Sequence, residues 1–221
     1  MDRNIKVLKN SAVFKELTKI KCKDDIDIDC DFIATMKKIE ESHWEYLDNL
    51  SQKYHLPRLN FYLFMDNLFQ HYQLEQYCDN IKLYYRNYDK YKKSLPTAGG
   101  IILYDNNILL VRVYGSKIYS LPKGKSDNDE EPHQTAIREI REETGLDMSS
   151  ILDKNTNYIK VAKTKLYIID SDCKIKHFDG YNRNEIQEIR WFNLNTLVKR
   201  PNLFSKQTKS VRAKLIELNY V

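Results

Sequence analysis

The chain has 221 residues, with 36 Lys and Arg against 31 Asp and Glu, a formal net charge of +5, and only six Gly and five Pro. These values exclude collagen-like, low-complexity and disulfide-scaffold proteins, which need far more Gly, Pro or Cys. Compact domains cluster at about 100–150 residues, so the length fits one large domain or two small ones, and we expect two. The small charge excess names no partner, because the position of the charges matters more than their sum.

The cysteines and the apolar segments indicate the cellular compartment to expect. Cys22, Cys30, Cys78 and Cys173 stand far apart, without a Cys-x-x-Cys pair or a His pair at zinc spacing. This pattern predicts neither a disulfide framework nor a structural metal site, and it favours a reducing compartment. No apolar run reaches the roughly 18 residues of a membrane span, and the N-terminus shows no signal-peptide pattern. We expect a cytoplasmic protein without a membrane partner, in the host cytoplasm if the chain is viral.

The first 94 residues differ from the rest in composition and in the spacing of their apolar residues. They contain no Gly, and apolar residues recur at helical spacing in the segments 30–54 and 60–74. This predicts an all-helical domain over residues 1–94. Pro96 disfavours helix at the residue before it, so we place the boundary and a hinge there.

Residues 95–221 show strand patterns. Two β-branched runs in the segment 97–114 are joined by Asp105-Asn106-Asn107, which predicts a hairpin because Asp and Asn tolerate positive φ. Further strands are expected at 158–170 and 185–192, and helices at 194–200 and 205–220. The predicted fold class is α+β, with the helical domain first.

The segment from Gly124 to Leu146 contains a predicted helix between Pro132, which suits a first turn, and Gly145, which suits the position after the last turn. At 100° per residue its glutamates share one face, and its apolar residues share another. Aligned like charges destabilise a helix unless a cation lies among them. The glutamates on this face are Glu139, Glu142 and Glu143.

Two interpretations of this acidic face are open from the helix alone. Hard divalent ions such as Mg²⁺ or Mn²⁺ prefer carboxylate oxygens and bridge phosphate oxygens, so the face could be a metal site. Alternatively, it is a solvated acidic face with Arg138 and Arg141 as helical partners.

The segment resembles the signature of the Nudix hydrolases, G-x5-E-x7-R-E-U-x-E-E-x-G-U, where U is aliphatic. The matching residues are Gly124, Glu130, Arg138, Glu139, Ile140, Glu142, Glu143, Gly145 and Leu146. The resemblance implies an α/β/α sandwich that cleaves nucleoside diphosphates linked to another group. It also implies that Glu139, Glu142 and Glu143 hold Mg²⁺ or Mn²⁺, with the Gly124 carbonyl as a further ligand. Glu130 and Arg138 are expected to form a structural ion pair.

Residues 30–195 resemble more narrowly the Dcp2 family of mRNA-decapping Nudix enzymes, in which a helical regulatory domain precedes the Nudix domain. The resemblance rests on the Pro-Lys-Gly-Lys entry to the signature, the segment 39–48 and the hinge at 91–96. It implies a capped-RNA substrate and an activator like Dcp1 bound to the helical domain. Lys123 and Lys125 are the expected phosphate contacts.

A cap-binding pair is predicted in the helical domain. An apolar stripe at helical spacing, formed by Met36, Ile39, His43, Leu47 and Leu50, would turn Trp44 and Asp48 towards solvent. An exposed indole can stack on a cationic purine while a carboxylate accepts from its N–H edge. The resemblance assigns 7-methylguanosine to Trp44 and Asp48. The alternative is a Trp that closes the edge of the core, with Asp48 solvated.

A basic stretch near the C-terminus fits the body of an RNA. Lys206, Lys209 and Arg212 fall within residues 199–214, which contain no acidic residue. Phosphate contacts from such a surface give sequence-independent, salt-sensitive affinity. A charge run is also typical of a merely solvated face.

The expected reaction is hydrolysis of the 5′ cap of RNA to 7-methyl-GDP and 5′-monophosphate RNA. The resemblance assigns catalysis to Glu143 and the general-base role to Glu185, with Glu188 as second choice. One alternative is a Nudix hydrolase of inositol pyrophosphates or dinucleoside polyphosphates. Another is a cap- or RNA-binding module of Nudix fold without activity, although such modules usually lose signature carboxylates that this chain keeps.

Overall fold

A computed structural model describes residues 11–127, 130–183, 185–218 and 220. The chain divides into two compact units, residues 1–94 and 95–221. In the part of the chain that the structure describes, no helix is long and apolar enough to cross a membrane.

The first unit is helical. Its elements are a 3-10 helix at Ser11–Glu16, another at Lys23–Asp25, α1 at Phe32–Glu45, a π-helix at Tyr46–Leu50, α2 at Ser51–Lys53, α3 at Phe61–His71, α4 at Glu75–Cys78 and α5 at Ile81–Ser94. No strand lies among the residues of this unit that are described. The prediction of an all-helical N-terminal region is confirmed.

Two of the long helices of this unit, α1 and α3, begin where a side chain caps them. The Asp31 carboxylate accepts from the Ala34 N–H at 3.0 Å, and the Asn60 side chain accepts from the Leu63 N–H at 2.9 Å. Each bond satisfies a backbone donor that has no partner within its helix. The helices enclose one apolar core, formed by residues that include Met36, Ile39, Phe64, Met65, Leu68, Phe69 and Tyr88.

The π-helix is a departure from the sequence prediction, which treated residues 36–50 as one regular α-helical stripe. Four of the five stripe residues are buried, and the fifth, Leu47, is half-buried. After Glu45, however, the helix widens for one turn over Tyr46–Leu50. A π turn has i→i+5 hydrogen bonds and is wider than an α turn, so the regular α-helical spacing assumed for the stripe did not predict it.

The second unit is built on one sheet. Its strands are β1 at Thr97–Tyr104, β2 at Asn107–Val113, β3 at Lys123–Lys125, β4 at Tyr158–Val161, β5 at Thr164–Asp170 and β6 at Ile186–Asn193. The strand order is β4-β5-β1-β2-β6, and β3 pairs with β1. Strands β1 and β5 are parallel, and the other pairs are antiparallel. The predicted hairpin is present, since Asp105 and Asn106 both adopt positive φ between β1 and β2.

Helices cover both faces of this sheet. These are α6 at Pro132–Thr144, α7 at Thr196–Lys199 and α8 at Lys206–Glu217, with a 3-10 helix at Pro201–Leu203. On one face Ile140 of α6 packs with Ile102 and Leu109, and on the other Leu215 of α8 packs with Leu110. The α+β class and the α/β/α sandwich are confirmed.

Helix α6 begins at Pro132 and ends before Gly145, as predicted. Gly145 has φ 77°, and its N–H donates to the Arg141 carbonyl at 2.8 Å. The sequence prediction gave Gly145 only the role of ending the helix. A Cβ at this position would also collide with the Asp179 carbonyl, so Gly145 brings the loop before β6 against the end of α6.

Candidate active site

The carboxylates of α6 meet the short strand β3. Gly124 leaves the space that the Glu139 carboxylate fills, because a Cβ built on Gly124 would collide with all three atoms of that carboxylate. The Lys123 N–H donates to Glu143 Oε2 at 3.0 Å. The glycine of the signature is therefore required for close approach of strand to helix.

Two of the three glutamates are removed from water. Glu143 is 8% exposed, and burial raises its pKa to about 8, with Glu139 and Glu185 adding to the rise. Burial likewise raises the pKa of Glu139 to about 7, against the lowering effect of Arg138. A carboxylate without water is costly to ionise, so these two side chains have unmet demand for positive charge.

Arg138 is the centre of an ion network. Its guanidinium binds Glu130 through two hydrogen bonds of 2.8 and 2.9 Å and also donates to the Lys125 carbonyl at 2.9 Å. It reaches Glu139 at 2.9 Å and Glu142 at 3.1 Å. The hydrogen bonds from Arg138 lower the pKa of Glu130 to about 2. The expected Glu130–Arg138 pair is present, and Arg138 in addition neutralises two of the helix carboxylates.

Glu142 differs from its two neighbours. Its side chain is 53% exposed and pairs with Arg138. An open groove of about 520 Å³ runs beside it, lined by Gln134, Ile137, Arg138, Arg141, Glu142 and Gly180. Over the described ranges, no three His, Cys, Asp or Glu side chains already converge as a metal cluster.

The residues present nevertheless fit a divalent metal ion. The desolvated carboxylates of Glu139 and Glu143 lie beside the backbone of Gly124, and hard oxygen donors of this kind suit Mg²⁺ or Mn²⁺. A cation there would stabilise the ionised form of both carboxylates, against the burial that raises their pKa values. Glu142 would have to turn from Arg138 to join them.

Glu185 and Glu188 lie in different surroundings. Glu185 contributes to the raised pKa of both Glu139 and Glu143, so it lies within electrostatic reach of them. Glu188 accepts from Arg112 at 2.7 Å and from the Tyr119 hydroxyl at 2.6 Å, and these bonds lower its pKa. Of the two general-base candidates, only Glu185 is brought towards the carboxylates of α6.

Glu185 lies in the turn before β6, which the bond from the Asn182 N–H to the Glu142 carbonyl ties to α6, whereas Glu188 lies within β6 next to a β-bulge. Arg112 of β2 is opposite Glu188 and Val113 is opposite Ile186, so Gln187 is the extra residue. Beyond the bulge, Ile189 and Trp191 pack on the α6 side, whereas Phe192 packs on the α8 side. Glu188 shares the alternation of Phe192 and therefore lies on the face away from α6. Sequence reasoning missed this bulge and the role of Arg112, for which a charged residue inside the run NILLVRV was the only signal.

Trp44 lies in the last turn of α1, and Asp48 lies in the π-helix that follows. Trp44 is 54% exposed, which leaves much of its indole accessible to a ligand. Asp48 is half-buried. Their cap-binding role stays a prediction.

The basic residues of α8 are not equivalent. Lys206 is exposed and Lys209 is half-buried. Arg212 donates to the Asn195 side chain at 3.2 Å, which ties α8 to the start of α7. Lys125 is exposed and Lys123 is half-buried at the carboxylate site. Lys206 and Lys125 are therefore the most accessible of the predicted phosphate contacts.

Sequence comparison agrees with this geometry. A model of the NUDIX domain matches residues 94–214. The chain is 34% identical over 167 residues to the mRNA-decapping enzyme subunit 2 of Arabidopsis thaliana, covering 72% of this chain and 44% of that protein. It is 35% identical over 168 residues to the mRNA decapping complex subunit 2 of Schizosaccharomyces pombe, covering 72% and 23%.

A third relative is the m7GpppN-mRNA hydrolase dcap-2 of Caenorhabditis elegans, 29% identical over 178 residues, with 76% of this chain and 23% of that protein covered. The chain thus spans less than half the length of these relatives. The matched domain contains the carboxylate helix, the Gly124 contact and the Glu130–Arg138 pair. The chain belongs to the Nudix hydrolase family.

Proposed function

We propose that this chain hydrolyses the 5′ cap of RNA, releasing 7-methyl-GDP and RNA with a 5′ monophosphate. The observation that carries the proposal is the pair of desolvated carboxylates, Glu139 and Glu143, with Glu185 in electrostatic reach of both. The choice of capped RNA is supported by relatives named as decapping enzymes, whose similarity extends over 72% of this chain.

Nudix hydrolases use divalent metal, and here Mg²⁺ or Mn²⁺ would be held by Glu139, Glu142, Glu143 and the Gly124 carbonyl. A bound ion of this kind neutralises charge on the transferred phosphoryl group and lowers the pKa of water. The role of Arg138 is to hold Glu139 and Glu142 in place and to fix the loop through Glu130. Glu143, fixed by the Lys123 N–H, is the carboxylate most dependent on the ion.

The protein groups then handle the proton and the phosphates. Glu185 takes the proton from the attacking water, whose oxygen forms the new bond to phosphorus as the bridging oxygen of the anhydride leaves. Glu185 is exposed, so water can reach it. The Lys125 and Lys123 side chains lie at the same strand as the Gly124 contact and bind phosphate oxygens.

Recognition of the two ends of the substrate is divided. We assign the methylated guanine to Trp44, whose exposed indole stacks on the cationic ring, and to Asp48, which accepts from the purine N–H edge. Lys206, Lys209 and Arg212 of α8 bind the RNA body through its phosphates, with Arg212 held by Asn195. The cytoplasm is the compartment we propose.

Two of these relatives are named as subunits, one of them of a decapping complex. We extend this to a partner like Dcp1 that binds the helical unit of this chain. Co-purification of the chain with such a protein, lost on deletion of residues 11–94, is the expected result. Retention of the partner by residues 95–221 alone would contradict the assignment.

The activity is tested with RNA whose cap carries the label, by chromatography of the products in Mg²⁺ or Mn²⁺ buffer. We expect 7-methyl-GDP from the wild-type chain and none from Glu143→Gln. Release of 7-methyl-GMP would indicate a different bond cleaved. Binding of capped RNA without any product would indicate the non-enzymatic module, and turnover of inositol pyrophosphates or dinucleoside polyphosphates alone would indicate the other Nudix class.

A further inference from the structure

The turn that carries Glu185 is held from two sides. The Asn182 N–H donates to the Glu142 carbonyl of α6 at 2.8 Å, and the Tyr114 N–H donates to the Glu185 carbonyl at 2.9 Å. The first bond ties the turn to the carboxylate helix, and the second ties it to the end of β2. The position of Glu185 therefore depends on how β6 is placed against β2.

The bulge in β6 sets that placement. Gln187 and Glu188 are adjacent, yet both side chains reach the same guanidinium, Arg112, at 3.0 and 2.7 Å. Adjacent strand residues normally point to opposite faces, so this shared contact requires the bulge. Without the bulge, the pairing before Gln187 would slip by one residue, and Tyr114 would be opposite Ile186 instead of bonding to Glu185.

Arg112 also binds outside the two strands. Its guanidinium donates to the Ser116 carbonyl at 3.3 Å in the loop after β2, and it lies 5.4 Å from the centre of the Tyr119 ring. The Tyr119 hydroxyl donates in turn to Glu188 at 2.6 Å. A planar guanidinium with several fixed donors can hold such a set of acceptors, whereas an ammonium group cannot.

We propose that Arg112 is a positioning residue for the hydrolysis: it fixes the bulge at Gln187, and through it the location of Glu185. This inference rests on the proposed function, in which Glu185 is the general base. Arg112 lies on the face of the sheet away from α6, together with Glu188, so it does not touch the reacting groups, and in our proposal it acts through the backbone of β6.

The test is a double-mutant cycle of Arg112→Met and Glu185→Gln, with kcat and KM measured on cap-labelled RNA. Loss of a general base lowers kcat by about 10²–10⁴-fold. Arg112→Met is expected to lower kcat by about 10- to 100-fold with little change in KM, since displacement of a catalytic group by about 1 Å costs as much. In the Glu185→Gln background, Arg112→Met should cause no further loss.

Two further variants keep the test valid if Arg112→Met folds poorly. Gln187→Ala removes one acceptor from an exposed side chain, and Arg112→Lys keeps the charge without the planar fork; both should lower kcat less than Arg112→Met does. Arg190→Met is the matched control. Arg190 lies on the same strand, 3.8 Å from the other oxygen of Glu188, but its side chain is 61% exposed, and kcat should be unchanged.

The outcomes distinguish the positioning role of Arg112 from the general-base role of Glu185. An equal fold-loss from Arg112→Met in both backgrounds, or no loss in either, overturns the positioning role while leaving Glu185 as the base. Wild-type kcat in Glu185→Gln overturns the base assignment of the proposed function, and the positioning role falls with it.

Discussion

The carboxylate face of α6 and the surface around Trp44 present their functional side chains to water very differently. Glu143 is 8% exposed and Trp44 is 54% exposed. A buried carboxylate has lost its hydration and depends on a cation, whereas an exposed indole offers apolar area that a ligand can cover. From this difference we expect the first region to control chemistry and pH-dependent stability, and the second to control affinity.

The largest effect is expected from Glu143→Gln. The amide keeps the shape and can still accept from the Lys123 N–H, but it removes the charge that a metal ion needs. We expect the rate of cap hydrolysis to fall by about 10²–10⁴-fold, with capped RNA still bound. Initial rates in saturating Mg²⁺ and filter binding measure the two quantities. Turnover near wild type would remove the buried carboxylate from the mechanism.

The two buried carboxylates should also make the stability of the protein depend on pH. Burial raises the pKa values of Glu139 and Glu143 to about 7 and about 8, from 4.5. Between pH 4.5 and 8 the folded chain therefore binds protons that the unfolded chain has lost, and stability falls as pH rises. We expect the metal-free protein to lose several kcal/mol across this window, because both shifts act in the same direction and one pKa unit corresponds to about 1.36 kcal/mol.

Thermal unfolding in chelator at pH 5.5 and 8.5 checks this expectation. Added Mg²⁺ should raise the melting temperature more at pH 8.5 than at pH 5.5, because the ion competes with protons for the same carboxylates. Glu143→Gln should flatten the pH dependence. An unchanged slope in that variant would mean that other groups cause it.

Arg138→Met is expected to have a smaller effect, on stability as well as activity. It breaks the two bonds to Glu130 and those to Glu139 and Glu142. Hydrogen bonds to charged groups contribute about 1.5–3 kcal/mol each, reduced here because Glu142 is exposed, so we expect a net loss of about 1–3 kcal/mol. Urea unfolding at pH 7 measures it.

Arg141→Met is the matched control for Arg138→Met, since Arg141 lies about one turn later in α6 and is exposed. Its stability should stay within about 0.5 kcal/mol of wild type, as for most surface substitutions. Equal losses of stability in Arg138→Met and Arg141→Met would contradict the role of the Arg138 network.

The Arg138 network also predicts a pH dependence at low pH. The Glu130 pKa is lowered to about 2, so the stability gained from its pairing is lost only as pH falls from 4.5 towards 2.

The smallest effect is expected at the exposed site. Trp44→Ala should weaken the binding of capped RNA by about 1–3 kcal/mol, the range measured for base–aromatic stacking, and reduce the preference for methylated over unmethylated cap. Its melting temperature should be unchanged because the side chain is outside the core. Competition binding with the two caps measures the preference. A preference that survives the substitution would contradict the stacking assignment.

Much of the carboxylate site could be predicted because its determinants are local. Pro132 and Gly145 set the ends of α6, and helical periodicity places three glutamates on one face. The different states of those glutamates could not be predicted. Glu143 is buried and Glu142 is exposed because β3 covers only one side of the face, and that depends on pairing between β3 and β1.

The sequence by itself determined the helical first unit, the hairpin, the bounds of α6 and the Nudix signature, since all of these follow from short-range periodicity and turn chemistry. Only the tertiary structure decided that Glu185 lies in a turn tied to α6 by the bond from the Asn182 N–H to the Glu142 carbonyl, whereas Glu188 binds Arg112 on the other face of the sheet. Arg112, from a strand 75 residues earlier in the chain, contacts both Gln187 and Glu188 at the bulge in β6. A contact between residues so far apart leaves no periodic signal in either segment.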